Sequence, residues 1–149
     1  MVVEESIVID ARVEDVWELF ANLACWQEWN TVLEDVSLEA AERWLSEGRS
    51  FTWCIRPFML PIHFEPTVEQ AVEGERIVWS GEKFGIRARH EFIFTKTDPG
   101  RTEVLSRETF SGITPAVLGR MFPGWKIKDL TVNMLKDLKN AVEHSVQRR

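Results

Sequence analysis

His90 and Glu108 are the residues of this chain whose types and positions best suit the movement of a proton. An imidazole titrates near neutrality, and a carboxylate beside it can hold its tautomer, so the two together fit general acid–base work. Each sits in an alternating segment. Ile86, Ala88, His90, Phe92 and Phe94 alternate with Arg87, Arg89, Glu91, Ile93 and Thr95. Val104, Ser106, Glu108 and Phe110 alternate with Glu103, Leu105, Arg107 and Thr109. Ile93 apart, that is the period-two pattern of half-buried strands. Asp98-Pro99-Gly100 between them reads as a three-residue hairpin loop, with Gly100 free to take positive φ. If the loop closes Thr97 onto Arg101, His90 falls opposite Glu108 on the inner face. The same register sets Glu91 opposite Arg107 on the outer face, a favourable charge pair. A polar pair among inward-facing aromatics is either a self-satisfied pair in a core or the lining of a hollow that receives a molecule.

Other reactive side chains carry less. His63 falls on a polar strand face, and His144 lies near a helix C-terminus, where it complements the dipole. Cys25 and Cys54 are too few and too far apart for a disulfide framework or a zinc site, and neither has the setting of a nucleophile. No metal and no cofactor is expected.

The elements that must position His90 and Glu108 follow from pattern. Ser6–Asp10 reads as a first strand, Val13–Ala21 as an amphipathic helix through Val13, Val16, Trp17 and Phe20, and Leu23–Trp29 as a second short helix. Thr31–Ala40, Ser50–Arg56, Ile62–Val72 and Arg76–Glu82 read as strands on short connections, which with the hairpin make an antiparallel meander. Thr114 and Pro115 would open a short helical piece that Pro123-Gly124 interrupts. From Trp125 to about Gln147, Ile127, Leu130, Met134, Leu138 and Val142 keep helical spacing, a helix roughly 34 Å long that must lie along the sheet to bury its stripe.

Composition limits the function classes. The chain has 149 residues, 44% of them hydrophobic, and reads as one domain spanning residues 1–149. Its net charge of −6, without a basic stripe, argues against nucleic-acid binding. No apolar run approaches the ~20 residues of a membrane span. Met1-Val2-Val3-Glu4-Glu5 does not begin a signal peptide, so a cytoplasmic location is the default. Seven tryptophans and nine phenylalanines make the interior heavily aromatic.

Taken in order, these elements resemble the helix-grip architecture of the START-related superfamily (SRPBCC-type), in its polyketide cyclase/dehydrase and lipid-transport branch. The likeness is carried by Val16-Trp17-Glu18-Leu19-Phe20 with Trp26-Gln27-Glu28-Trp29-Asn30, and by Ile77-Val78-Trp79-Ser80-Gly81. Ala88-Arg89-His90-Glu91-Phe92-Ile93-Phe94 and Glu108-Thr109-Phe110-Ser111-Gly112 complete it. The resemblance implies an α+β fold: a curved antiparallel seven-stranded sheet wrapped around a long C-terminal helix, with two short helices after strand 1. A cavity would lie between sheet and helix.

In such a fold the inner wall would include Phe51, Trp53, Ile55, Phe64, Trp79, His90, Phe92, Glu108, Met134 and Leu138. Phe58, Met59 and Leu60, between Pro57 and Pro61, would gate its mouth. Trp29 would reach a ligand at the helical end, unless it and Trp26 only pack the helix pair. Met121, Phe122 and Trp125 would line the opening or form a hydrophobic cap. The expected activity is binding of a small hydrophobic, ring-containing molecule, with His90 and Glu108 orienting a hydroxyl or carbonyl. The rivals are a polyketide cyclase or dehydratase using His90 and Glu108, and a protein-interaction module with a filled interior. A homodimer stays open.

Overall fold

Pro66 divides what would otherwise be one long strand, and the sheet takes its shape from that break. The computed structural model describes residues 1–38, 43–112, 119–120 and 123–148. Its strands are β1 (Val2–Ile9), β2 (Glu34–Leu38), β3 (Phe51–Ile55), β4 (Ile62–Phe64), β5 (Thr67–Val72), β6 (Arg76–Lys83), β7 (Ile86–Asp98) and β8 (Arg101–Ser111). They form a five-stranded antiparallel sheet, β1-β8-β7-β6-β5, and a three-stranded one, β2-β3-β4. The expected strand Ile62–Val72 is therefore two, β4 and β5, parted at Glu65-Pro66. Proline has no N–H for the ladder and bends the chain there. The pairing still runs through: Trp53 faces Phe64, and Ser50 bridges Thr67 in the same register. The Phe51 N–H donates to the Pro66 carbonyl and the Val68 N–H to the Arg49 carbonyl. Counted across this join, the strands make the seven-stranded curved sheet that the helix-grip resemblance implies.

The central hairpin keeps the expected register, with His90 opposite Glu108 and Glu91 opposite Arg107. Its turn is tighter than expected. Asp98, not Thr97, faces Arg101, which leaves Pro99-Gly100 as a two-residue turn and Thr97 as a bulge. Gly100 takes φ +82°, as the second residue of such a turn after proline requires.

Helix α1 (Val13–Ala21) buries Val16, Phe20 and Ala21. The expected second helix begins as a 3₁₀ turn at Leu23–Cys25 and becomes α-helical only over α2 (Trp26–Trp29). Phe20 is the centre of an aromatic core, with the rings of Trp26, Trp29, Trp79, Phe92 and Phe94 all within 6.4 Å of its own. The indole N–H of Trp26 donates to the Phe20 carbonyl at 2.7 Å, so the α1–α2 corner is fixed by a buried hydrogen bond as well as by packing.

Helix α3 (Gly124–Gln147) buries Ile127, Thr131, Met134, Leu135, Leu138 and Val142. This is the stripe expected from its spacing, widened at Leu135 as that spacing also implies, with Leu130 only half-buried and Thr131 added. Polar contacts hold it in place along its length. Asp137 accepts from the Thr31 N–H at 2.9 Å and from its hydroxyl at 2.6 Å. Lys139 donates to the Val8 carbonyl, and the Asp10 N–H donates to Glu143. The piece expected to begin at Thr114-Pro115 lies outside the described residues.

Candidate functional site

A cavity of about 110 Å³ opens between the two sheets and α3. The small sheet contributes Trp53, Ile55, Ile62 and Phe64. The large one contributes Trp79, Lys83, Ile86, Ala88, His90, Glu108 and Phe110, with Phe84 from the β6–β7 turn. Ile127, Leu130, Thr131 and Met134 come from the first half of α3, and Val32 and Leu33 from the segment after α2. The space is far larger than the ~10–15 Å³ that one water requires, and of the order of the ~150 Å³ apolar cavity known to admit benzene. Its walls are almost wholly apolar. Among the polar liners, the Thr131 hydroxyl already donates to the Ile127 carbonyl and the Lys83 ammonium to that of His63. That leaves His90 and Glu108 to meet a guest.

Burial decides the state of these two. His90 Nδ1 stands 3.6 Å from Glu108 Oε2, too far for a hydrogen bond. Nor is the approach an ion pair, because desolvation pushes the imidazole pKa down to about 3 and keeps it neutral. The same desolvation raises the Glu108 pKa to about 7. The group that titrates near neutrality is thus the carboxyl, reversing the roles expected of the pair. The partner that fixes the ring is Ser106, whose Oγ lies 2.6 Å from His90 Nε2, the donor set by the imidazole tautomer. The ring also stacks on Phe92, with centroids 4.2 Å apart. Ser106 was legible as an inward position of its strand; only its diagonal reach to His90, across from Phe92, was not.

Of the residues expected on the wall, Trp53, Ile55, Phe64, Trp79, His90, Glu108 and Met134 stand there. Phe51, Phe92, Trp29 and Leu138 are buried behind it in the aromatic core. The reason for Leu138 is position along α3: the cavity faces only the helix's first half, and beyond Met134 the stripe meets packed side chains. Phe58, Met59, Leu60 and Trp125 are exposed outside the wall, Phe58 leaning edge-on against Trp125 at 6.2 Å. Met121 and Phe122 lie outside the described residues. Val32 and Leu33 fall within the expected strand Thr31–Ala40, but the strand begins only at Glu34, and these two lie in the bend that carries the chain from α2 into it. His63 and His144 are exposed, Cys54 is buried, and Cys25 accepts a hydrogen bond from Asn22 Nδ2. The indole N–H of Trp53 is buried without a partner, a cost of about 1–3 kcal/mol. Among the described residues, no three His, Cys, Asp or Glu side chains gather as a metal would require. No helix there is long and apolar enough to cross a membrane.

Comparison with known proteins adds a family. The sequence pattern described as "Polyketide cyclase / dehydrase and lipid transport" matches residues 1–143. Among solved structures, the Zhui aromatase/cyclase from Streptomyces sp. R1128 superposes with a TM-score of 0.81 at 14% identity, over 98% of this chain and 95% of its own. TTHA0849 from Thermus thermophilus gives 0.80 at 17% identity, over 97% and 99%. A START superfamily protein from Mycobacterium smegmatis gives 0.69 at 16%, over 99% and 97%. At such identities the likeness is one of fold. Among curated proteins, none matches the chain in sequence.

Proposed function

The chain belongs to the polyketide cyclase/dehydrase and lipid-transport family, and from that premise we propose that it binds a small, largely apolar, ring-containing molecule between its sheet and α3. One observation carries the reading: an apolar cavity of about 110 Å³ into which Glu108 and one nitrogen of His90 bring hydrogen-bonding capacity not already spent on the protein. Burying about 300 Å² of ligand surface there would supply up to ~7 kcal/mol before the costs of association. A hydroxyl or carbonyl on the ligand would then be oriented by the carboxyl of Glu108 and the free imidazole nitrogen. The empty volume beside Trp53 weighs against an interaction module filled by its own aromatics. The test is native mass spectrometry of the purified protein. It should retain a small molecule in the parent and lose it in Ala88→Phe, which fills the space; identical spectra, both bare, would count against a carrier.

The second reading is an enzyme acting on an enolisable ketone, as a polyketide-type cyclase or dehydratase does. What favours it is the Glu108 pKa of about 7, close to where a general acid–base group works best. In that mechanism the carboxyl moves the proton, and the neutral imidazole, fixed by Ser106, donates to or accepts from the substrate oxygen. Glu108→Gln should cut turnover of such a ketone by about 10²-fold or more. Turnover that survives the substitution removes the carboxyl from the chemistry.

A further inference from the structure

Among the described residues, five of the nine large apolar side chains left exposed, Phe58, Met59, Leu60, Phe84 and Trp125, belong to segments that enter the cavity wall. Met59 is 88% exposed, Leu60 74%, Phe84 66% and Trp125 62%. Each segment that bears them runs into the wall. Phe84 lines the cavity itself, Ile62 follows the Phe58–Leu60 loop, and Ile127 follows Trp125 on α3. Exposed apolar side chains brought to one opening of a molecule mark an interaction site more often than they mark accident.

Two of these residues also hold backbone that bulky side chains avoid. Met59 has φ +71° and Phe84 φ +56°. Phe84-Gly85 is the two-residue turn between the paired Lys83 and Ile86, where asparagine or glycine would be the unstrained first residue. Folding rewards neither the strain nor the exposed ring. A use for the ring in solution-facing contact accounts for both.

Charge on this rim runs against the rest of the molecule. The chain carries −6 overall, yet residues 56–61, 83–85 and 123–128 contain Arg56, Lys83, Lys126 and Lys128 and no acid, with Glu82 and Asp129 standing at their borders. Arg56 pairs with Glu34, and Lys128 lies 3.6 Å from Glu5. Lys83 and Lys126 have no acidic partner among the described residues; the Lys83 ammonium donates to the His63 carbonyl and lies 5.3 Å from the Phe84 ring, and that of Lys126 lies 5.9 Å from the Phe58 ring. Lys126 occupies the first turn of α3, where the helix dipole disfavours a cation.

We propose that this end of the molecule docks on an anionic lipid bilayer, with Met59, Leu60, Phe84 and Trp125 entering the headgroup–acyl boundary and Lys83 and Lys126 meeting lipid phosphates. Aromatic and aliphatic tips ringed by lysines are the composition that partitions to that boundary, the lysine stems lying along apolar surface and the ammonium groups in the headgroups. Docking in this orientation sets the cavity mouth against the bilayer, so an apolar guest passes between them without crossing water. The surface stands on its own whether or not the cavity holds a guest.

The experiment is co-sedimentation of the whole protein with phosphatidylcholine–phosphatidylglycerol vesicles and with pure phosphatidylcholine vesicles. The protein should bind the mixed vesicles, more weakly as salt rises. Phe84→Asn and Met59→Asn should each weaken binding about tenfold, while urea unfolding finds them no less stable, since asparagine tolerates the positive φ. Lys83→Gln with Lys126→Gln should remove the preference for the anionic lipid. Absence of binding to either vesicle overturns the proposal, as does binding that Phe84→Asn leaves unaltered. A dimer in sedimentation velocity that Phe84→Asn dissociates assigns the surface to a second copy and overturns it too.

Discussion

Glu108 is an acid placed where ionising it costs most, and the stability of the fold should register that. Unfolded, its carboxyl ionises above about 4.5; folded, it does so only at about 7. The stabilisation tied to the protonated form is therefore complete below 4.5 and is lost as pH rises through 7. His90 acts in the opposite sense. Its unfolded imidazole takes a proton below 6.5 and its folded one only at about 3, so stability falls as pH drops across that window. Between 4.5 and 6.5 the two slopes cancel and these residues leave stability level. Glu108→Gln removes the alkaline loss alone. Urea denaturation at pH ~8 should find the variant more stable than the parent by about 3 kcal/mol, the size of the carboxyl's shift. That difference should vanish near pH ~4.5, and a gain that ignores pH would mean the carboxyl is not held neutral. The identity and pairing of the two residues were legible in the alternation of their strands. Their charge states were not, because desolvation depends on the helix and sheet that close over them.

Strand alternation predicted Glu91 on the outer face, and it is there, yet it is buried. Arg76 and Arg107 from the flanking strands clamp its carboxylate, Arg107 at 2.8 Å. Arg107 also holds Glu4 of β1, while Arg89 and Arg87 hold Glu69 of β5, which accepts from Ser80 of β6. The convex face is thus laced across all five strands of the large sheet. Glu91 is the member with most at stake: without its charge, Arg76 and Arg107 lose the one anion they share. Because both arginines keep part of their hydration, Glu91→Gln should cost about 2 kcal/mol rather than the full value of a dry pair. Glu69→Gln, at a more exposed position, should cost under ~1 kcal/mol. Chemical denaturation of both variants checks the ratio, and equal losses would make the burial of Glu91 irrelevant. Element types were readable from periodicity nearly throughout. Periodicity missed Pro66 parting β4 from β5, Thr97 bulging from β7 and Leu23–Cys25 winding too tightly to continue as α-helix; it also began β1 four residues late, at Ser6 instead of Val2, and β2 three residues early, at Thr31 instead of Glu34.

At the scale of the molecule, the order of elements and the amphipathic stripe on the last helix were enough to place α3 against the sheet. They were not enough to say how much of the interval would be empty, since Phe51 and Phe92 alternate inward just as Trp53 and His90 do. Which rings line the space and which fill it depends on where α1 and α2 deliver Phe20, Trp26 and Trp29. Those helices crowd one half of the interior with stacked aromatics and leave the other half open.

The break at Pro66 has a further effect on that open half. One jaw around the space is the small sheet and the other is the large one; the described join between them is a short run of main-chain bonds around Ser50–Val68. Its calibre follows from the angle between two leaves, not from side-chain bulk alone. A change in that angle would widen or narrow the space while leaving every ladder on either side paired.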